Sequence, residues 1–250
     1  GGDSHAAADI ICYMNGYNDP RRKSYFTESE WGEGFQYTGL RHGIIIPDHS
    51  SVGHKYSGVK IAADSPIYWM NAAEVAFLKA EAAGVFGYNM GGSARDFYEE
   101  GIRLSFEQWG AGDASAYIAD GSSIPQVYLD PAGTNTYSQA LSTITVAWND
   151  SADAEEMQER IITQKWIANW LLGNESWADW RRTGYPHLIP ASDAGNKSNG
   201  MVDSAEGARR MPYPRDEYVN NPENIRQAVS EYLAGPDNMS TRLWFDCKNK

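Results

Sequence analysis

Carboxylates are the most abundant groups in this sequence that could do chemistry. The chain carries 33 Asp and Glu against 21 Lys and Arg, which gives a formal net charge of −12. A glycoside hydrolase needs two opposed carboxylates, but no spacing in the sequence selects one pair from so many acids. Glu30 and Asp179 each stand next to a Trp, an adjacency expected by chance in an acidic, Trp-rich chain. We therefore assign no catalytic residue, and a glycoside hydrolase with an aromatic-lined cleft is kept as an alternative.

Histidines cluster in the first part of the chain, at His42, His49 and His54. Their spacing does not match the helical H-E-x-x-H zinc motif, so we expect no metal site among them. Signatures of a nucleophile elbow, a phosphate-binding loop or a dinucleotide-binding turn do not occur. The acidic stretch at residues 193–196 does not fit a calcium loop, and a calcium ion elsewhere is left open. The sequence thus predicts that the protein binds no cofactor and no metal and is not an enzyme.

Aromatic side chains are the most unusual feature, with nine Trp, fifteen Tyr and seven Phe. Rings exposed on loops can stack on the C–H faces of sugars, and surface aromatics are enriched at binding sites. The candidate ligand-binding rings lie among glycines and polar residues in predicted loops: Tyr25, Trp31, Phe35, Tyr37 and Tyr56. Packing and binding are equally favoured for this set, and contact with a partner protein would use the same residue types. Rings at helical spacing are typical of a core, which is the expected place of Trp166, Trp170, Trp177 and Trp180.

The charge balance and the cysteines exclude further classes of function. An acidic chain without a stripe of Lys and Arg is not expected to bind nucleic acid, because it cannot displace counterions from phosphates. No stretch is apolar for long enough to read as a transmembrane helix. Cys12 and Cys247 lie near opposite ends of the chain. Since that separation is unlike a zinc site, we expect two unpaired thiols.

Two helical hairpins are predicted from apolar residues that recur three and four positions apart. The first covers about residues 69–110, with Met70 and Phe77 on one face of its first helix and Ser93 as the N-cap of its second. The other covers about residues 152–182. Such hairpins are typical of tetratricopeptide-like units, in which each helix pair buries its face on a neighbour.

The rest of the chain is predicted to be rich in loops. Residues 1–66, 111–150 and 184–222 contain many Gly, Pro and Ser, and a short apolar run at residues 43–47 suggests a brief strand. A last helix is expected at about residues 223–233. The expected fold class is therefore mostly α, with tetratricopeptide-like helix pairs, long irregular loops and a few short strands.

Several stretches resemble, in order along the chain, motifs of the SusD/RagB family, the surface nutrient-binding lipoproteins of Bacteroidetes. The matching stretches are residues 37–43 (YTGLRHG), 70–82 (MNAAEVAFLKAEA), 161–170 (IITQKWIANW), 175–186 (ESWADWRRTGYP), 209–214 (RRMPYP) and 243–246 (LWFD). The residues that carry these motifs are Glu74, Glu81, Trp166, Trp177, Arg181, Arg182, Pro186, Arg210, Tyr213 and Trp244.

The resemblance implies how the motif residues are used. Family members are longer than this chain, so residues 1–250 are expected to be the C-terminal portion of a single SusD-like domain. The motifs carry the fold more than the ligand. Trp177, Arg181 and Arg182 are expected to fix an irregular strap, residues 184–215, and the fourth helix. We also expect Arg181 or Arg182 to pair with a buried acid such as Glu81.

The resemblance also implies a function. Family members bind glycans or other nutrients without catalysis and pass them to a SusC-type TonB-dependent transporter. They are surface-exposed at the outer membrane, held there by a lipid anchor that this chain does not contain. Ligand rings are expected just ahead of the first matched helix, which favours Trp31, Tyr37 and Tyr56. A helical-repeat scaffold whose rings contact the transporter is the second alternative.

Overall fold

Helices dominate the computed structural model, which describes residues 4–46, 52–246 and 248. The helices among these residues are α1 (Ala8–Gly16), α2 (Arg22–Tyr25), α3 (Ala72–Gly84), α4 (Ala94–Gln108), α5 (Ser115–Ile118), α6 (Ala154–Ala168), α7 (Gly173–Thr183), α8 (Arg215–Asn220) and α9 (Pro222–Tyr232). Two short 3₁₀ turns lie at Gly53–Lys55 and Asp193–Gly195. No helix of the described residues is long and apolar enough to cross a membrane.

Extended backbone contributes little to the described part of the chain. It forms isolated bridges, such as the pairing of Ala7 with Leu40 and that of Tyr128 with Tyr137. The brief strand expected at residues 43–47 is wrong for residues 43–46, which form a turn followed by irregular backbone, and Pro47 lies outside the described residues.

The two predicted hairpins are α3 with α4 and α6 with α7. Their starts are specified locally: the Asn71 side chain accepts a hydrogen bond from the Glu74 amide, and Ser93 forms a capping box with Asp96. Asp153 caps α6 in the same way. α6 also packs against α3 and α4, so the two hairpins share one core. The expected tetratricopeptide-like pairing is thus formed.

Phe77 of α3 is completely buried between the two helices of the first hairpin, against Tyr98. Gly101 faces this ring, and a Cβ atom at that position would lie 2.8 Å from a Phe77 ring carbon. Glycine therefore permits the close approach of α3 and α4. Met70, expected on the same face as Phe77, is 67% exposed, because α3 begins only after Asn71.

The predicted loop region at residues 1–66 contains a buried helix that the periodicity did not indicate. In α1 every residue from Ala8 to Met14 is buried. A helix that packs on all sides shows no amphipathic pattern, so it cannot be recognised from spacing. Residues Arg21 and Asp19 follow it and form a fully buried ion pair at 2.5 Å inside the core.

The boundaries of the later helices also differ from those predicted. α6 ends at Ala168, and the chain turns through Leu171, which has a positive φ of 75°. α7 then begins at Gly173 and ends before Gly184, whose φ of 87° gives the left-handed backbone of a helix C-cap. The last predicted helix is confirmed as α9 and is preceded by the short α8.

Candidate functional site

A loop at residues 28–38, which we call the ring loop, carries three of the five candidate rings. Gly32 and Gly34 have positive φ values of 86° and 82°, which glycine adopts without strain. The Ser29 amide donates to the Gln36 carbonyl at 2.8 Å and closes the loop. Its Trp31 and Phe35 side chains are half-buried, whereas Tyr37 is buried. The loop therefore holds its rings in fixed places.

Asn15 and Arg22 position the end of the ring loop. The Asn15 amide nitrogen donates to the Tyr37 carbonyl at 3.0 Å, and its oxygen accepts from Arg22 Nη1 at 2.7 Å. The Arg22 guanidinium carbon lies 5.1 Å from the centre of the Tyr37 ring, within cation–π range. Burial and the charge of Glu28 raise the pKa of Tyr37, and Arg22 opposes this. Tyr37 is therefore a neutral phenol at physiological pH.

Two adjoining cavities open beside the ring loop, and we call them together the loop groove. One, of about 350 Å³, is mainly apolar, and Phe35, Tyr37 and Leu129 are among the residues that line it. The other, of about 270 Å³, is polar and is lined by Asn15, Arg22, Gly34, Gln36, Tyr37 and Gln126. Gly34, Tyr37 and Gln126 belong to both cavities. The loop groove thus joins an apolar wall to a set of amide and guanidinium groups.

Trp31 and Tyr56 form a separate pair that does not line the loop groove. Their ring centres are 5.6 Å apart in an edge-to-face arrangement, and the Lys55 ammonium lies 4.9 Å from the Trp31 ring. Tyr56 is buried, and its hydroxyl donates to Asp130 at 2.6 Å. Trp31 is therefore the ring of this pair that faces solvent in part.

Tyr25 lies in the core, away from both groups. It is fully buried, stacks on Trp170 at 5.3 Å between ring centres, and donates its hydroxyl to the Ile167 carbonyl. Tyr25, Tyr37 and Tyr56 thus present almost no surface to solvent. Of the five candidate rings, Phe35 and Tyr37 come together in the loop groove, whereas Tyr25 does not join them.

The motif acids and arginines form a buried network between α3, α6 and α7. Arg182 donates to both carboxylate oxygens of Glu81, at 2.7 and 3.0 Å, and to Asp179 at 2.7 Å. Lys165, buried on α6, pairs with Asp179 at 2.7 Å and with Glu74 at 3.4 Å. The predicted pairing of an arginine with Glu81 is confirmed for Arg182.

Arg181 and Trp177 hold the strap, as expected. The Arg181 guanidinium lies 3.8 Å from the Trp177 ring centre and donates to the Arg209 carbonyl. The Trp177 indole N–H donates to the Ala208 carbonyl at 2.7 Å. These contacts of Arg181 and Trp177 attach the strap to α7.

The helical Trp166 packs edge-on against Tyr13 of α1.

The matched stretch at residues 209–214 binds one carboxylate, that of Asp237. Asp237 pairs with Arg210 and accepts from the Tyr213 amide and, at 2.6 Å, from the Tyr218 hydroxyl. Burial would raise the pKa of Asp237, but the bonds from Tyr218 and Arg210 outweigh it and lower that pKa.

Two motif residues need separate description. Pro186 follows Tyr185 through a cis peptide bond within the strap. Trp244 is 91% exposed, and its one ring contact among the described residues is with Phe245. Trp244 was expected to be a structural motif residue, but its side chain is not buried in this structure.

The metal and cysteine predictions concern residues that are only partly described. Within the described ranges, no group of three or more His, Cys, Asp and Glu side chains is close enough to hold a metal. His49 and Cys247 lie outside those ranges, so the unpaired state of Cys247 stays a prediction. Cys12 is a buried free thiol whose pKa is raised by burial.

Sequence reasoning missed the polar half of the loop groove. Asn15 and Arg22 come from α1 and α2, which were expected to be loop, and Gln126 comes from a distant segment. Arg22 could have been selected from the sequence, because it is a charged residue close to the predicted rings. The position of Gln126 could not have been predicted, because it depends on its amide donating to the Cys12 carbonyl.

The comparison with solved structures gives many similar proteins. A SusD homologue from Bacteroides uniformis is 62% identical, with a TM-score of 0.93 over 98% of this chain and 50% of that one. A SusD homologue from Bacteroides thetaiotaomicron is 41% identical, with a TM-score of 0.87 over 98% and 52% of the two chains. A chitin-binding SusD homologue from Flavobacterium johnsoniae is 41% identical, with a TM-score of 0.86 over 97% and 49%.

This chain spans about half the length of these structures. No curated protein matches it. A family model for SusD-like proteins, described as SusD and RagB outer membrane lipoprotein, matches residues 2–246. The chain therefore belongs to the SusD/RagB family of outer membrane lipoproteins, which confirms the mostly helical fold and the outer-membrane localisation expected from the sequence.

Proposed function

We propose that this chain is part of a non-catalytic protein that binds a glycan in the loop groove at the outer membrane surface. The observation that carries the proposal is the meeting of an apolar wall, which includes the half-buried Phe35 ring, with amide and guanidinium groups in one groove. Sugar-binding sites need both features, because a sugar ring has apolar C–H faces and polar edges. The chitin-binding relative supports a carbohydrate as the ligand.

The half-buried Phe35 ring and the exposed Leu129 side chain would cover the apolar face of a sugar. Gln126 and Arg22 would receive its polar edge. Trp31 lies on the same loop and is proposed as a further contact for a longer glycan. Because only a few contacts are involved, we expect dissociation constants from micromolar to millimolar, about −4 to −8 kcal/mol.

We further propose that the whole protein delivers its ligand to a SusC-type TonB-dependent transporter. Membership of an outer membrane lipoprotein family supports this partner. A lipid anchor would be the membrane contact of the whole protein.

The hydrolase alternative is less well supported by the loop groove. The described residues that line its two cavities include no Asp or Glu, whereas glycoside hydrolysis needs a pair of carboxyl groups across the scissile bond. Glu28, close by in sequence, already accepts a hydrogen bond from Gln36.

The proposal is tested with a glycan array and isothermal titration calorimetry on the chain and on Phe35→Ala. We expect binding to at least one neutral glycan, weakened about fivefold or more by Phe35→Ala, since an aromatic contact contributes about 1 kcal/mol or more. Phe86→Ala removes an exposed ring that does not line the groove and serves as the matched control. A reducing-sugar assay on the same glycans should show no product. Equal binding by Phe35→Ala and the unmodified chain would refute the site.

A further inference from the structure

We infer that the loop groove selects a sugar that carries an acetamido group, with Arg22 and Gln126 as the residues that determine this specificity. The inference rests on the proposed glycan-binding function and makes it more specific. The inference depends on two observations. The first is which hydrogen-bond donors of the polar cavity are already engaged by other protein groups, and the second is that the apolar cavity adjoins the donors that are not engaged.

Arg22 has donor capacity that the fold leaves unused. Its Nη1 donates to Asn15, but its Nε is buried and has no hydrogen-bond partner among the described residues. A guanidinium has donors only, so it requires an acceptor oxygen and prefers a carbonyl or carboxylate in its plane. Because Nε is shielded from solvent, a ligand oxygen in the polar cavity would meet the terminal nitrogens of this half-buried guanidinium, of which Nη2 makes no hydrogen bond among the described residues.

The amide side chains in the polar cavity divide into engaged and available groups. Asn15 uses its nitrogen for Tyr37 and its oxygen for Arg22. Gln36 donates to Glu28 at 2.7 Å. Gln126 is exposed, and its backbone amide is held by the Cys12 carbonyl at 3.1 Å, at the junction of the two cavities. Gln126 is therefore the amide best placed to meet a ligand from both sides.

The apolar cavity adjoins the polar cavity that contains these donors. Phe35, Val127 and Leu129 line it, and it shares Gly34, Tyr37 and Gln126 with the polar cavity. An acetamido group carries an acceptor oxygen and a methyl group on the same carbonyl carbon. In the loop groove the oxygen would face Arg22 and Gln126, and the methyl would enter the apolar cavity. A hydroxyl at the same position would leave the apolar cavity unfilled and the guanidinium without its preferred acceptor.

A carboxylate would also suit Arg22, but the surrounding charge disfavours it. The chain has a formal net charge of −12, and the ring loop itself carries Glu28, Glu30 and Glu33. An anionic sugar approaching the loop would meet this negative field. Among ligands with a carbonyl oxygen, the neutral acetamido sugar is therefore favoured over a uronic acid.

The test compares three hexasaccharides by isothermal titration calorimetry: chitohexaose, cellohexaose and hexagalacturonate. Chitohexaose and cellohexaose share a β-1,4 backbone and differ in the acetamido group at C2. We expect chitohexaose to bind about tenfold or more tighter than cellohexaose, as is typical when a site's donors lose their acceptor. Hexagalacturonate should be the weakest of the three.

The variants Arg22→Met and Gln126→Leu should each reduce the preference for chitohexaose over cellohexaose at least threefold. Gln126 is on the surface, so its variant keeps the test valid if Arg22→Met does not fold, as judged by circular dichroism. Arg95→Met, on the exposed face of α4, is the matched control and should keep the preference.

Equal binding of chitohexaose and cellohexaose, or a preference for hexagalacturonate, would overturn the inference while the proposed glycan-binding function stands. A preference for chitohexaose that survives both groove variants would overturn the assignment to Arg22 and Gln126. Failure of every glycan on the array would instead refute the proposed function.

Discussion

Arg182 of α7 donates two hydrogen bonds to Glu81 of α3, although the two residues are 101 positions apart in the chain. Glu81 also accepts from Gln158 of α6 at 2.8 Å. One buried carboxylate thus joins three helices from both hairpins. The contact gives Arg182 and Glu81, which lie in separate family motifs, one shared structural role.

Removing Arg182 should destabilise the fold. Arg182→Met leaves Glu81, whose side chain is 4% exposed, without its charged partner. Loss of one partner from a buried pair costs about 3–5 kcal/mol, and since the Arg182 side chain is 36% exposed we expect about 1–3 kcal/mol. Urea denaturation measures this change. Arg103→Met breaks an exposed pair with Glu99 and is the control, expected to cost less than about 1 kcal/mol. Equal losses in the two variants would contradict the prediction.

Gly101→Ala should destabilise the first hairpin, against the usual helix propensity. Replacing a helical glycine by alanine normally stabilises by up to about 1 kcal/mol, but here the new Cβ would lie 2.8 Å from the buried Phe77 ring. We expect a net loss of about 1–3 kcal/mol, measured by thermal denaturation. Gly121→Ala is the control, because its nearest neighbour would be 3.7 Å away. A more stable Gly101→Ala variant would show that the helices can separate freely.

The contact between His42 and Asp9 should make stability depend on pH. His42 Nδ1 lies 3.4 Å from a carboxylate oxygen of the buried Asp9, and this contact raises the pKa of His42 above 6.5 although burial opposes it. A raised pKa in the folded state means that the stabilisation is complete below about pH 6.5 and disappears as the pH rises through the folded value. The difference in unfolding free energy between the chain and His42→Gln should therefore shrink from pH 5.5 to pH 8.5. A difference that grows with pH would exclude this pairing.

Tyr56→Phe should separate a structural role from ligand binding. The Tyr56 hydroxyl donates to the buried Asp130, and its loss should cost about 1–2 kcal/mol. Burial alone would raise the pKa of Asp130, but the bonds from Tyr56 and Asn135 lower it below 3.8. The resulting stability is present above that value and is lost as the pH falls through the folded value. The unfolding free energy of Tyr56→Phe should therefore decrease less with falling pH than that of the unmodified chain.

Glycan affinity of Tyr56→Phe, measured by calorimetry, should match that of the unmodified chain, because the Tyr56 ring stays in place against Trp31. Weaker binding without loss of stability would instead make the hydroxyl a ligand contact.

The starts of α3, α4 and α6 and the motif order could be predicted from the sequence because they depend on neighbours in the chain. Asn71, Ser93 and Asp153 cap their helices through bonds to amides three residues away. The family motifs are likewise contiguous strings, and their resemblance indicated that an arginine pairs with Glu81 across the fold.

The candidate site was only partly within reach of the sequence. Of the rings chosen from the sequence, Phe35 and Tyr37 line the loop groove, and their role as ligand contacts stays a proposal. The sequence could not distinguish them from Tyr25, because an aromatic residue in a loop has the same local pattern whether the loop lies over the core or in solvent.

What the sequence by itself determined was the two helical hairpins, the last helix, the N-cap at Ser93 and the motifs that identify the family. Tertiary structure alone decided that α1 is buried on all sides, that Tyr25 packs on Trp170, and that Gln126 meets Phe35 in one groove. The physical reason is the distance along the chain over which each interaction acts. Caps and periodicity act over a turn or two of backbone, whereas burial and cavity shape depend on segments that are far apart in the chain and meet only when the core packs.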